Sequence, residues 1–320
     1  MAKFIIRRIL QMIPTLFIIT ILIFTLIKLT PGDPIGSDLN PKATAEQKAA
    51  ERARLGLDKP IPVQYINWLG RTVQGDFGES YTYKKPVASV INDYIWNTFY
   101  LNITSFVFAF LIAVPLGVFV AVRQHSKTDT FFSVLSIVGI SLPSFFFSLL
   151  LIYVFAIKLN LFPIGGMLEP GSTTAGFGRV IEVLHHMFLP ALVAIITSCA
   201  SLLRYSRTAV LDVLKQDYVR TARSKGLSEK VVIYKHAFRN ALIPIITIAG
   251  FYIASLFSGA VILESVFNWP GIGQIFMQSI TSADYNVMMA LMTMFALLTL
   301  LGNLLADVLY ALADPRIKLD

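Results

Sequence analysis

Few side chains in this 320-residue chain have the type and spacing that covalent or metal chemistry needs. His185 and His186 are adjacent at the edge of an apolar run. Neighbours on a helix do not share a face, so the pair reads as two solvated interface residues and not as a metal site. His125 and His236 lie among basic residues with nothing to activate. Ser141, Ser144 and Ser148 recur at helical spacing around Pro143, but no His or Asp shares their stretch. They read as groups that satisfy backbone or pack helices, not as a nucleophile. The single cysteine, Cys199, excludes an internal disulfide and a cysteine-based metal cluster. The phosphate-binding pattern Gly-x-x-x-x-Gly-Lys-Ser/Thr is missing, so the chain has no P-loop for ATP. No catalytic residue, metal ligand or cofactor is assigned to it.

The most informative polar stretch is Leu211–Pro244, LDVLKQDYVRTARSKGLSEKVVIYKHAFRNALIP. It starts as helix, breaks at Gly226, and restarts with Ser228 as N-cap ahead of Val231, Val232 and Tyr234. The result is two short helices with a hinge, basic on one side and apolar on the other. Such a piece needs a surface for its apolar side. Anionic lipid headgroups and a groove on a partner protein both fit. A second stretch, Glu264–Tyr285, carries Asn-Trp-Pro-Gly-Ile-Gly. Its Pro and Gly break a helix while Val266, Phe267, Trp269 and Ile272 are apolar. It reads as an interfacial hairpin with a belt tryptophan, or as a re-entrant turn forming an outer gate from Glu264, Trp269, Pro270, Gly271 and Gly273. Glu264 itself reads as a solvated acid at a helix end; the other reading is a pore-lining group that meets a cationic substrate terminus. Asp307 either faces the interior or reaches the inner interface near Tyr310 and Arg316.

The elements that must carry these stretches are membrane spans. The chain is 55% hydrophobic and 14% charged, too few charges to cover a soluble fold of this size. Crossing roughly 30 Å of hydrocarbon takes about 20 apolar residues. Six runs qualify: Ile9–Ile27, Thr98–Val122, Phe131–Ile157, Met187–Leu203, Asn240–Leu263 and Asn286–Ala306. Lys28 can snorkel, and Trp96 and Tyr100 flank the second run like an aromatic belt. Pro115, Pro143 and Pro190 are tolerable where neighbours satisfy the freed carbonyls. No alternating strand pattern is present, so the fold class is all-α integral membrane. The basic start Lys3, Arg7, Arg8 runs into a long apolar stretch with no small-residue cleavage site, an uncleaved first span and not a signal peptide.

Lysine and arginine set the orientation. The fourth-to-fifth connection carries Arg204, Arg207, Lys215, Arg220, Arg223, Lys225, Lys230, Lys235 and Arg239; the N-terminus, the second-to-third connection and the C-terminus add more. On the opposite side Lys158–His186 has two and Glu264–Tyr285 none; the long first connection, Leu29–Asn97, has eight beyond Lys28, balanced by eight Asp/Glu, and long loops weigh little in this rule. Both termini and the basic loop are expected on the cytoplasmic side. The long first connection is expected to be a small extracytoplasmic helical cap. Thr44–Leu55 reads as helix, with Thr44 and Gln47 at capping-box spacing and Gly56 after its end. Pro60–Val73 reads as a second helix, Gly75–Gly78 as a turn, and Pro86–Asn97 as a helix feeding the second span. The domains are then 1–28 with the first span, 29–97 the cap, and 98–320 the remaining spans with a cytoplasmic loop at 211–240.

The loop around Gly226 resembles the coupling motif of ATP-binding-cassette importer permeases, and most closely that of the oligopeptide/dipeptide branch. The resemblance extends to LTPGDP (29–34), LGLDKPIPVQYINWL (55–69), GDFGES (75–80), ISLPSFFFSLLL (140–151), SVFNWPGIGQ (265–274) and ADPRI (313–317). It covers nearly the whole chain. Arg220 stands where the general motif has Glu, and Pro244 lies farther past Gly226 than usual; both departures are shared by the peptide branch. The resemblance implies a non-catalytic permease in a bacterial cytoplasmic membrane. It implies a second, related permease subunit, two ATPase subunits that use ATP and Mg²⁺, and an extracytoplasmic solute-binding protein. It implies no nucleic acid partner. Asp217–Ser224 would seat on the ATPase, with Tyr218, Thr221 and Ala222 giving shape contact, Arg220, Arg223 and Lys225 pairing with acids, and Gly226 allowing the turn. A lone secondary transporter is disfavoured because the spans are free of charge. A permease for nickel or another small solute remains the alternative within the family.

Overall fold

The computed structural model describes residues 2–29 and 58–313, together with residues 44, 46, 47, 50 and 53. Twelve helices are named from these residues. They are α1 (Ala2–Leu29), α2 (Ile61–Val73), α3 (Val87–Val122), α4 (Lys127–Ser141), α5 (Ser144–Leu151), α6 (Gly176–Leu214), α7 (Asp217–Ser224), α8 (Glu229–Val231), α9 (Phe238–Ser255), α10 (Val261–Val266), α11 (Ile272–Thr281) and α12 (Tyr285–Ala313). Wider π-type turns extend α5 through Ile152–Lys158 and join α8 to α9 through Val232–Ala237.

Among the described residues five helices are long and apolar enough to cross a membrane, or six if α4 and α5, bent by 98° at their break, are counted as one span. The bend follows from chemistry at Pro143. Leu142, the residue before it, is extended (φ −73, ψ 122), and Pro143 caps the new helix. The expected third span is therefore broken. The fourth is much longer than its apolar run: α6 has 39 residues, about 58 Å at 1.5 Å per residue. Polar residues at each end continue the helix beyond the apolar stretch. The fifth span is shorter than expected. It stops being helical at Ser255, and α10 begins only at Val261.

The first connection carries the elements read in it, as far as it is described. Thr44 N–H donates to Gln47 Oε1 at 3.0 Å and Gln47 N–H to Thr44 Oγ1 at 3.3 Å, a reciprocal capping box. Residues 46, 47, 50 and 53 are helical; the other residues of that expected helix, with Gly56, lie outside the described residues. α2 begins after Pro60, as the proline predicts, and Trp68 is buried among Phe24, Ile27, Met288 and Met289. Tyr65 and Thr20 share a hydrogen bond of 2.9 Å, so α2 is fastened to α1. In the Gly75–Gly78 turn, Gly78 N–H donates to Asp76 Oδ1 at 2.9 Å. The segment after it is tied to α12: Ser80 Oγ and Thr82 N–H donate to the buried Asp284 carboxylate at 2.5 and 3.0 Å. The predicted Pro86–Asn97 helix and the second span are one helix, α3.

α3 lies along α6, and α9 along α12. Small residues permit the α3–α6 approach, with Ala113 and Gly117 set against Leu203 and Ser206. At one end of this pair, Arg207 of α6 makes a bidentate contact with Asp129 of α4, at 2.6 and 2.8 Å. Asp129 also accepts from His125 N–H at 2.9 Å, which fixes the α3–α4 turn. Asp307 pairs with Arg8 of α1 at 3.2 Å. Arg316 lies outside the described residues.

Candidate coupling element and buried turn

The element around Gly226 forms at the end of the bundle that holds the Asp129–Arg207 pair. Asp217 opens α7, where a negative side chain suits the exposed N–H groups of a first turn. Val219 and Ala222 are one helical step apart and both are buried. They pack on Val232 and Ala237, with Val213 and Leu214 at the edge. The apolar side of α7 is thus covered by its own chain. This corrects the expectation that it needs lipid or a partner, and it removes Ala222 from the contact surface. Gly226 turns the chain with φ +78, a left-handed conformation that suits glycine, and the space around it is open.

What α7 leaves exposed is Asp217, Tyr218, Arg220, Thr221, Arg223 and Lys225. Arg223 does not wait for a partner's acid. Its Nη2 and Nε meet the Glu229 carboxylate at 2.7 and 3.3 Å, across the Gly226 turn. The Glu229 hydrogen bonds push the guanidinium above its ordinary pKa. Arg220 lies 3.7 Å from Asp217, a loose contact between two highly exposed side chains. Tyr234 is exposed on the neighbouring segment, and Leu227 and Val231 are partly so. The surface is a basic rim around aromatic and aliphatic groups.

The second group sits at the other end of α3. Glu264 is fully buried, not a solvated helix-end acid. Four donors surround its carboxylate. Thr98 Oγ1 and Ala260 N–H reach Oε1 at 2.9 and 3.1 Å, while Gly273 and Gln274 N–H reach Oε2 at 2.6 and 3.3 Å. Burial pushes the carboxyl above the ordinary carboxylate range, and the four hydrogen bonds oppose that shift. Thr98 completes the node by accepting from Ile272 N–H at 2.8 Å. The carboxylate therefore joins α3, α10 and the start of α11.

Trp269 is fully buried as well, not a belt residue. Its Nε1–H donates to Asn97 O at 3.1 Å, and Asn97 Nδ2 returns a bond to Pro270 O at 2.7 Å. Gly271 and Gly273 are required by close approach. A Cβ on Gly271 would collide with Glu264 and Thr98, and one on Gly273 would lie 2.6 Å from Val261 Cα. Of the residues singled out for an outer gate, Glu264, Trp269, Pro270, Gly271 and Gly273 do come together. Asn97, Thr98 and Ala260 belong to the same node and were not singled out. The paired glycines just past an isolated acid were the one available signal.

The histidine pair divides. His185 is exposed, with Nε2 at 2.9 Å from Leu161 O. His186 is buried, contrary to the solvated reading, with Nδ1 at 3.2 Å from Gly165 O and Nε2 at 3.6 Å from Glu169. Gly166 N–H in turn donates to Phe267 O at 2.8 Å, so the α5–α6 connection is pinned beside the Trp269 turn. Ser148 donates to Ser144 O at 2.8 Å, the backbone role expected of it.

Comparison with known proteins accounts for this architecture. Residues 113–319 match the family model described as binding-protein-dependent transport system inner membrane component, and residues 1–104 match the model of its N-terminal region. The chain is 44% identical over 319 residues to the oligopeptide transport system permease protein AppB of Bacillus subtilis, covering 99% of this chain and 100% of that one. It is 42% identical to a putative peptide permease protein of Brucella ovis, with 99% of each covered. It is 37% identical to the glutathione transport system permease protein GsiC of Escherichia coli, again over 99% of each. Among solved structures, a chain of the MetNI methionine ABC transporter in an inward-facing conformation superposes with a TM-score of 0.52 at 16% identity. That match covers 69% of this chain and 97% of the other, and it shows a shared fold. By family model, by relatives over its full length and by its helices, the chain belongs to the binding-protein-dependent inner membrane components: it is a multi-pass, non-catalytic permease subunit of an ABC importer.

Proposed function

We propose that this chain forms half of the translocation pathway of a peptide importer and is driven through α7 and the Gly226 turn by a separate ATPase. The relatives named for oligopeptide and glutathione transport support the peptide substrate. One observation carries the coupling: α7 is fastened to its own bundle through Val219 and Ala222, while Tyr218, Thr221, Arg220 and Lys225 stay exposed. A helix anchored on one side and bare on the other can transmit force from a docked partner. In this reading the Lys/Arg-rich end is cytoplasmic, as are both termini. Two ATPase subunits supply two docking clefts, so a second, related permease completes the pair. ATP and Mg²⁺ are used by the ATPases, and a solute-binding protein delivers peptide to the opposite face. Glu264, Trp269, Pro270, Gly271 and Gly273 then form a fixed part of the outer gate.

The test is uptake by the whole transporter in proteoliposomes. Proline cannot adopt φ +78, so Gly226→Pro must redirect the turn. Peptide uptake is expected to be lost while the protein inserts and ATP hydrolysis persists. Tyr218→Ala is expected to weaken copurification of the ATPase. Unchanged uptake by Gly226→Pro, or uptake by this chain alone under an ion gradient, refutes the proposal.

A further inference from the structure

A cavity of about 470 Å³ lies between α3, the start of α5, α6 and the junction of α9 with α10. Among the described residues no charged side chain lines it. Among the described residues its side-chain polar wall is made of seven hydroxyls and the Asn102 amide, and four of the seven hydroxyl hydrogens are committed to backbone carbonyls. Ser105 donates to Leu101 O at 2.8 Å, Thr197 to Val193 O at 2.9 Å, Ser255 to Tyr252 O at 2.8 Å and Ser258 to Ser255 O at 2.9 Å. The Asn102 amide donates to Leu256 O at 3.0 Å. A hydroxyl whose hydrogen is used keeps its lone pairs, so these four offer a ligand acceptors.

A second observation concerns the backbone. The apolar run 240–263 is not helical between Ser255 and Val261, and Leu256, Ser258, Gly259 and Ala260 all line the cavity. Open backbone inside an apolar run is tolerated where protein covers it or where it borders a water-filled space. Interrupted helices of this kind also mark solute sites in transporters.

We propose that this cavity is where the chain holds the transported solute, and that it takes N–H donors, the amide and ammonium groups of a short peptide. Among the described residues its wall has no imidazole, thiol or carboxylate for a transition-metal ion. It also has no cation to balance an anion. The inference rests on the peptide reading above and adds the site and its polarity.

The test uses the whole transporter with Cys199→Ala, which leaves this chain free of cysteine. Thr197→Cys and Ser258→Cys are installed separately, with Leu149→Cys as a lipid-side control. Cationic and anionic methanethiosulfonate reagents probe each thiol, with rates normalised to those of a free thiol in water. Both cavity thiols are expected to react, the cationic reagent several-fold faster. Trialanine, presented with the binding protein, is expected to slow the reaction several-fold. Labelling is expected to cut trialanine uptake about tenfold or more, a barrier change that one blocked site supplies. The control thiol is expected to stay unreactive. Unreactive cavity thiols, a faster anionic reagent, or full uptake after labelling would each overturn the site while leaving the peptide reading standing. No trialanine uptake by the unlabelled transporter, with ATP still hydrolysed, would overturn the peptide reading and this inference together.

Discussion

Glu264→Gln is nearly isosteric, and for most exposed acids it is harmless. Here each carboxylate oxygen faces two donors: Thr98 and Ala260 on one side, Gly273 and Gln274 on the other. Thr98 is adaptable: its oxygen accepts from Ile272 N–H and keeps a second lone pair, so the hydroxyl can turn and accept from an amide. Whichever way the new amide is turned, its NH₂ points at two donors. Turned toward Gly273 and Gln274 it strands two N–H groups, and turned toward Thr98 and Ala260 it strands one, so at about 1–3 kcal/mol each the expected loss is about 1–6 kcal/mol. The orientation that faces the NH₂ toward Thr98 and Ala260 is the milder one and sets the lower half of that range. The assay is thermal unfolding of the detergent-purified transporter, with hydrogen exchange across residues 259–274 to localise the damage. Glu264→Gln is expected to melt earlier and to lose protection in that segment first. Melting and protection equal to the parent would mean that the carboxyl carries a proton and one partner accepts it. That outcome would refute the four-donor account.

Two further perturbations separate structural from exposed charge pairs. Asp129→Ala strands Arg207, which is partly exposed; losing its charged hydrogen bonds costs about 1.5–3 kcal/mol, and the melt should show it along with loosening of the α3–α4 turn. A double-mutant cycle on Arg223 and Glu229 is expected to give a coupling below about 1 kcal/mol that fades with salt, because both are well exposed; a large, salt-insensitive coupling would contradict this.

The spans were legible because a charge-free run of sufficient length has few other uses. Their ends were less so. Polar residues from Gly176 to His186 and from Arg204 to Leu214 continue α6 as helix, where hydropathy marks only the apolar middle. Pro143 was visible, yet a 98° bend depends on what packs around it. Capping signals held where they were local, as at Thr44 with Gln47 and at Pro60. Glu264 failed because its partners are backbone N–H groups and a threonine 166 residues away in sequence. An acid beside an apolar run looks the same whether water or folded backbone solvates it. His186 and Ala222 misled for the related reason that burial depends on neighbours brought by the fold. Gly226 was read correctly because the turn it makes is set within a few residues.

The inward packing of Val219 and Ala222 has a mechanical meaning. A coupling helix on a loose tether would take up the first ångströms of any displacement as slack, and the gate would lag behind the motor. Here the helix is bedded on Val213 and Leu214 at the tail of α6, and on Val232 and Ala237 at the approach to α9. Both of those helices wall the cavity. Under the proposed coupling, a push on α7 would be delivered to two walls at once, with little slack between the docked partner and the space between them.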